Sequence, residues 1–248
     1  MVPSRLKSAV RRALLRTRPG TRLWWRSQGL PHELAFWSDW FELRGGPRWE
    51  QDYRRRLEPA PLIDDPLVTE RLDELAATDV KVIDVGAGPI SRLGNRYPGK
   101  RIDLVAADPL ADDYDQLLRR FGVEPYVRTV KAHGERLLER FTTGSFDIAY
   151  AVNSLDHSYD PLLIVRNMVA LVHPEGAVLL RHTRNEAEHR RFSGPHQWNF
   201  DVVEGEVLIW NHAVRHALVS AFAGWADVHG WVEDDEVLVR ITARATQR

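Results

Sequence analysis

Val80-Lys81-Val82-Ile83-Asp84-Val85-Gly86-Ala87-Gly88-Pro89 decides the fold. Its first six residues read as a buried strand, and the strand ends in a glycine turn. Gly86 and Gly88 let the backbone turn tightly and let a ligand come close to it. The turn is expected to open a helix over 89–96. A second apolar strand, Ile102 to Ala107, ends at Asp108. Tyr126 to Val130, Phe146 to Ala151 and Ala177 to Leu180 read as three more strands. Helices are expected over 112–121, 134–141 and 161–172, and from residue 66 through Leu67, Leu72, Leu75 and Ala76. Asp160-Pro161 opens one of them, with Asp as N-cap and Pro at the first helical position. Strands alternating with helices give an α/β fold with a parallel sheet covered on both faces. The end of the chain differs: Trp225 to Trp231 and Glu236 to Ala243 are joined by Glu233-Asp234-Asp235. So short a connection makes these two strands antiparallel neighbours.

The 248 residues suffice for one large domain or one domain with a small appended segment. With 34 Lys+Arg against 35 Asp+Glu, the net charge of -1 gives no global field to hold nucleic acid, and none is expected as a partner. The absence of cysteine excludes disulfides, thiolate catalysis and Cys-ligated zinc, and agrees with a reducing cytoplasm. No apolar run approaches the ~20 residues of a membrane helix. Ala13-Leu14-Leu15 is too short for the core of a secretory signal.

Charge is uneven all the same. Arg5, Lys7, Arg11, Arg12, Arg16, Arg18, Arg22 and Arg26 precede the first acid, Glu33. Leu6, Val10, Ala13 and Leu14 recur among them at helical spacing. The arm reads as a solvated amphipathic helix or as a peripheral contact with an anionic membrane. Trp24, Trp25, Trp37, Trp40 and Trp49 are five of the nine tryptophans. With Phe36 and Phe41, Trp37 and Trp40 make one helical face aromatic. That face packs a lid onto the main domain or walls a substrate site. Gly45-Gly46-Pro47 ends the helix. Residues 1–65 are thus expected to be a helical N-terminal extension, and 66–248 the main domain.

The glycine turn alone does not separate a dinucleotide from S-adenosylmethionine. Three details favour the latter. The last position of the dinucleotide fingerprint G-x-G-x-x-G is Ser91 here. Asp84 stands where it could orient the loop and an ammonium group. The antiparallel end is foreign to the usual dinucleotide fold, whereas a carboxylate at Asp108 suits the ribose hydroxyls of either ligand.

Asp84 to Gly88, Asp108, the Phe146-Asp147 strand and the terminal hairpin resemble the class I S-adenosylmethionine-dependent methyltransferases, particularly the type 11 group, over roughly residues 66–245. The resemblance implies a Rossmann-like, mostly parallel seven-stranded sheet with an antiparallel terminal hairpin. It also implies that Asp84, Gly86 and Gly88, with Ala87 between them, contact the methionine part. Asp108, followed by Pro109, would take the ribose, and Asn153 would face the methionine end. His133-Gly134-Glu135-Arg136-Leu137 stands where the family makes its adenine contacts. The family often has Asp in place of His133, which leaves the Gly134 N–H or Glu135 as alternatives.

Two loops leave the carboxyl ends of strands, where such sheets keep their ligand crevice. One is Asn153 to Asp160. The other begins at Arg181-His182 and continues through Asn185-Glu186 to His196-Gln197-Trp198-Asn199, with a hairpin over Phe200 to Ile209. It forms an insertion at about 183–211, and long insertions at a crevice usually shape a substrate site. An aliphatic hydroxyl attacking a methyl group must lose a proton, and a placed base supplies ~10²–10⁴-fold. Asp156 with His157, His182 with Glu186, and His196 are the candidates. Asp156 and Glu186, with nearby histidines, are also candidate ligands for a divalent cation such as Mg²⁺. Asn185 to Glu188 and His196 to Phe200 resemble bacterial methyltransferases of glycan and polysaccharide assembly. That implies a sugar hydroxyl as acceptor, on a mannoside or partly methylated mannose oligosaccharide. Trp198 would stack on the sugar and Asn185, Gln197 and Asn199 would bond its hydroxyls. A phenol, amine or carboxylate acceptor, and a catalytically silent binding module, are the competing readings. A homo-oligomer is left open.

Overall fold

The structure, a computed structural model, describes residues 17–244. The greater part of the basic arm, with its membrane reading, lies outside the described residues. Among the described residues no helix is long and apolar enough to cross a membrane.

β1 (Asp79–Val85) is the hub of an eight-stranded sheet. It pairs in parallel with β3 (Lys100–Asp108) on one side and β5 (Phe146–Val152) on the other. β6 (Val172–Thr183) adds in parallel beyond β5. β11 (Glu236–Ala243) then runs antiparallel to β6, and β10 (Ala226–Glu233) antiparallel to β11. On the far edge, β2 (Arg96–Tyr97) and β4 (Val130–Lys131) pair with opposite ends of β3. The fold is a Rossmann-like α/β sheet, mostly parallel and closed by an antiparallel hairpin. The eighth strand beyond the expected seven is β2.

Strands buried on both faces need apolar side chains in both directions, and β1 supplies them. Ile83 and Val85 enter a core shared with helix Pro161–Leu171, whereas Val80 and Val82 enter one shared with helix Pro66–Glu74. Both helices start as the sequence suggests. Asp160 Oδ1 accepts from Leu163 N–H at 3.2 Å, and Asp65 Oδ1 from Leu67 N–H at 3.1 Å, each followed by Pro. The insertion forms its own sheet of β7 (Asn199–Val203), β8 (Glu206–Trp210) and β9 (Arg215–Ala217). It packs on β10, where a Cβ on Gly230 would overlap Val207 Cγ2.

Two expectations are corrected. Residues 89–96 form no helix. Gly94 sits at φ +89, and a Cβ there would lie 2.7 Å from the carbonyl oxygens of Pro61 and Leu62. Asn95 and Arg96 N–H groups donate to Pro61 O at 3.0 and 3.2 Å, so the passing segment 61–63 claims the backbone that a helix would use. The third strand is only Val130–Lys131, because Tyr126 turns inward as a strut. Its hydroxyl accepts from Gly94 N–H at 3.1 Å and donates to Ser91 O at 2.8 Å.

Before the sheet, helix Arg18–Trp24 runs through a π-helical stretch, Trp25–Gly29, into helix Leu30–Phe41. The expected aromatic face is largely buried: Trp37, Trp40 and Phe41 pack with Ile90, Leu110, Tyr114 and Leu118, while Phe36 stays 39% exposed. Phe41 stacks on Phe121 at 5.0 Å, and Trp40 Nε1–H donates to Asp52 Oδ2 at 3.2 Å.

Filling the contact at Gly230 tests the docking of the small sheet. Gly230→Val forces Val207 aside and is expected to cost about 1–3 kcal/mol, read as a lower denaturant midpoint at unchanged slope. An unchanged midpoint would mean that the two sheets yield freely.

Candidate active site

A cavity of about 360 Å³ opens at the carboxyl ends of β1, β3, β5 and β6. Its floor is the glycine turn. Gly86 and Gly88 hold φ +77 and +69, a region that side chains disfavour. A Cβ on Gly86 would overlap Ser154, and one on Gly88 would lie 2.5 Å from Trp37 Cζ2. Gly86 reaches the cavity wall, whereas Trp37 lies over Gly88.

Asp84 is buried beneath this turn. Its Oδ2 accepts from Ser91 Oγ–H at 2.6 Å, and its Oδ1 has no partner among the described residues. Burial raises its pKa to about 6. A buried, unpartnered carboxylate oxygen costs roughly 1–3 kcal/mol, so it points to a ligand that donates. At the end of β3, Asp108 takes Gly88 N–H at 3.2 Å on Oδ2 and Leu110 N–H at 2.9 Å on Oδ1. Each carboxylate oxygen can accept twice, which leaves room for a pair of hydroxyls. Burial pushes Asp108 up to about 7.

The other expected cofactor residues divide. Ala87, Pro109, Gly134, Glu135 and Asn153 line the cavity. Asn153 stands at φ +44, with Oδ1 accepting Thr183 N–H at 2.8 Å. Glu135 Oε1 accepts from Tyr159 and Asp160 N–H at 3.1 and 3.3 Å, and burial raises it to about 7. His133 does not line the cavity; it meets Trp25 edge-on at 5.6 Å.

Asp156, His157 and His196 converge on one another. His196 Nδ1 lies 2.7 Å from Asp156 Oδ2, His157 Nε2 3.4 Å from the same oxygen, and the two nitrogens 3.1 Å apart. On its other side His157 Nδ1 donates to Glu33 Oε2 at 3.0 Å, and Glu33 Oε1 accepts Trp37 Nε1–H at 2.9 Å. Burial disfavours charge on His157, yet Asp156 and Glu33 outweigh it and raise the pKa to about 9. Burial likewise opposes the Asp156 carboxylate, but His157 and His196 bring it down to about 2. Three ligand-type atoms of Asp156, His157 and His196 thus lie within 4.8 Å of one another.

His182 and Glu186 do not pair. His182 is buried, stacks on Phe200 at 4.0 Å, and has neither ring nitrogen hydrogen-bonded. Burial lowers it to about 4, so it is neutral. Glu186 Oε1 accepts from Arg190 Nε at 2.8 Å and stands outside the Asp156 cluster. It lines the cavity, and so does His182.

The expected substrate residues face inward instead. Trp198 is in the core with Nε1–H on Ser158 O at 3.0 Å. Gln197 Nε2 donates to its own loop at His196 O, 2.7 Å away. Asn199 Oδ1 accepts Glu188 N–H at 2.9 Å, and Asn185 Nδ2 donates to Asp201 at 3.2 Å. Those bonds hold the insertion together and keep all four off the cavity wall. The wall comes instead from Trp25, His32, Glu33, Phe36 and Trp37 of the N-terminal helices. Sequence reasoning missed Glu33 as a site residue; its position as the first acid after a run of cations, on the aromatic helix, was the available signal.

Residues 71–180 match the family model described as a methyltransferase domain. The matched segment runs from helix Pro66–Glu74 into β6, and the chain has the Rossmann-like class I methyltransferase fold. No curated protein matches it. Among solved structures, it is similar to the methyltransferase in complex with the Trm112 activator of Haloferax volcanii, at 14% identity and TM-score 0.48, covering 87% of this chain and 98% of that one. It is similar to the PH0226 protein of Pyrococcus horikoshii OT3, at 14% and 0.43, covering 78% and 92%. A further likeness is to an S-adenosylmethionine-dependent methyltransferase of Clostridium acetobutylicum, at 9% and 0.44, covering 72% and 89%.

The residues present fit S-adenosylmethionine. Asp84 offers an unpartnered oxygen for an ammonium, Gly86 brings backbone to the cavity wall, and Asp108 can take two hydroxyls. Such a ligand should then bind more weakly as pH falls. Hydroxyls that donate to Asp108 favour its ionised form, which is lost below about 7. Calorimetric affinity for S-adenosylhomocysteine is expected to fall up to about tenfold per pH unit below that point, and Asp108→Asn to remove that part of the trend. Affinity that is flat from pH 8 to pH 6 would contradict the assignment.

Proposed function

We propose that this chain is an S-adenosylmethionine-dependent methyltransferase that transfers a methyl group to the hydroxyl of a sugar-like acceptor, a mannoside or partly methylated mannose oligosaccharide being the first candidate. The observation that carries the reading is the Asp156–His157–His196 cluster on the wall of the cofactor cavity. When bound, S-adenosylmethionine supplies a methyl group on a sulfonium that a nucleophile can displace in line. An aliphatic hydroxyl is a poor nucleophile until its proton is drawn off, and a phenol or carboxylate needs far less help. A carboxylate and two imidazoles gathered beside the cavity answer that need.

The rest of the cavity suits a polyhydroxylated ring. Phe36 offers an apolar face, the role first expected of Trp198. Glu186, Arg190 and His32 offer hydrogen bonds beside it. His182, neutral and without partners, can give one hydrogen bond and take another. Alignment of acceptor and methyl group contributes further through proximity. In this reading the described part of the N-terminal extension, residues 17–65, acts as a lid: Trp37 covers Gly88 while Glu33 reaches His157.

The test is turnover by variants. Asp156→Asn and His196→Gln are expected to lower kcat on a glycoside by ~10²–10⁴-fold, with affinity for S-adenosylhomocysteine unchanged within a few-fold. Full turnover in both variants, or activity confined to phenols or amines, would end the sugar-hydroxyl reading.

A further inference from the structure

Asp156 Oδ2, His157 Nε2 and His196 Nδ1 make an awkward hydrogen-bonded set. The nitrogens lie 3.1 Å apart while both face the same carboxylate oxygen, at 2.7 and 3.4 Å. Glu33 claims a hydrogen on the far nitrogen of His157, at 3.0 Å. With Nδ1–H given to Glu33, positive charge is needed where Nε2 meets Asp156 and His196, and either a second proton on His157 or a metal ion supplies it.

The separations fit one. Atoms so spaced lie on a circle of radius about 1.8 Å, so a point just off their plane is about 2.1 Å from all three. That is the bond length that imidazole nitrogen and carboxylate oxygen make to first-row divalent metals. We propose that Asp156, His157 and His196 bind a divalent transition-metal ion, with Glu33 orienting His157 from behind.

Three further observations support the site. The other oxygen of Asp156 is buried and has no partner among the described residues, although the side chain lines the cavity. The Glu33 carboxylate behind His157 is the arrangement that orients a metal-ligating imidazole and raises its basicity. The two ligand-bearing segments are also tied together, since Gln197 N–H donates to Asp156 O at 2.9 Å. Two imidazoles and one carboxylate on one side of an ion leave positions open, here toward the cavity. This donor set suits Mn, Fe, Co, Ni or Zn and disfavours Mg²⁺ or Ca²⁺, which take oxygen ligands. It differs from the Asp156–Glu186 pair and the Mg²⁺ expected from sequence, since Glu186 is held by Arg190. An ion there would polarise the acceptor oxygen as a Lewis acid. That use rests on the hydroxyl-methylation reading; the binding site does not.

Co²⁺ titration of the full, chelator-treated chain tests the proposal, followed by visible absorption and by calorimetry. One Co²⁺ per chain is expected, with the absorption of a nitrogen- and oxygen-ligated site, displaced by Zn²⁺ but not by millimolar Mg²⁺. Asp156→Asn and His196→Gln should abolish uptake, and Glu33→Gln should weaken it by about 10–100-fold. Retained S-adenosylhomocysteine binding shows that each variant is folded. Absent uptake by the unaltered chain, or uptake indifferent to all three substitutions, would overturn the site. Uptake at these residues without turnover of any hydroxyl acceptor would uphold the site and remove the methylation reading. Hydroxyl turnover without uptake would overturn the site and leave that reading standing.

Discussion

The carboxyl end of β1 has to carry a buried carboxylate directly beneath a backbone turn that tolerates no side chain. Asp84 occupies the first position, Gly86 and Gly88 the second. Around that constraint the neighbours are arranged. Ser91 satisfies one Asp84 oxygen and leaves the other free. Ser154 closes on Gly86 from β5, and Trp37 on Gly88 from the N-terminal helix. Asp108 ties its strand end to the same turn through Gly88 N–H. A cavity made this way is polar at fixed points and lined elsewhere by apolar side chains such as Phe36, Trp37, Leu110 and Ile164, which suits a zwitterionic, ribose-bearing ligand.

The chemistry we propose draws on parts distant in the chain. Asp156 and His157 follow β5, His196 comes from the insertion, and Glu33 from a helix outside the matched methyltransferase segment. Glu33 balances His157, His157 and His196 hold Asp156 ionised, and Trp37 fixes Glu33. The segment that covers the glycine turn is thus the one that sets charge at the Asp156 cluster. A covering helix with no such link would shield the site without tuning it.

The parallel strands were legible because burial on both faces demands apolar runs, and Val80 to Val85 has no other use. Asp160-Pro161 marked a helix start for an equally local reason. Where long-range bonds decide, the sequence misleads. Residues 89–96 look helical until Pro61 O takes their N–H groups. Tyr126 looks like a strand residue until its hydroxyl braces Gly94 and Ser91. The places of Asp84, Gly86 and Asp108 on the cavity wall were legible because they sit at the ends of β1 and β3. Trp198 and Asn199 looked available for a sugar because nothing local shows that the insertion folds into its own sheet and uses them inside. Glu33 was illegible as a partner of His157, since only the tertiary fold brings the two together.

Transfer of isotope-labelled methyl from S-adenosylmethionine to a panel of mannosides, partly methylated mannosides, phenols and amines tests the central claim most directly. Product mass and position of the label are the readout. Label on a sugar hydroxyl, with one S-adenosylhomocysteine released per methyl, is the predicted result. Label confined to phenols or amines, or none on any acceptor from a chain that binds S-adenosylhomocysteine tightly, would contradict it.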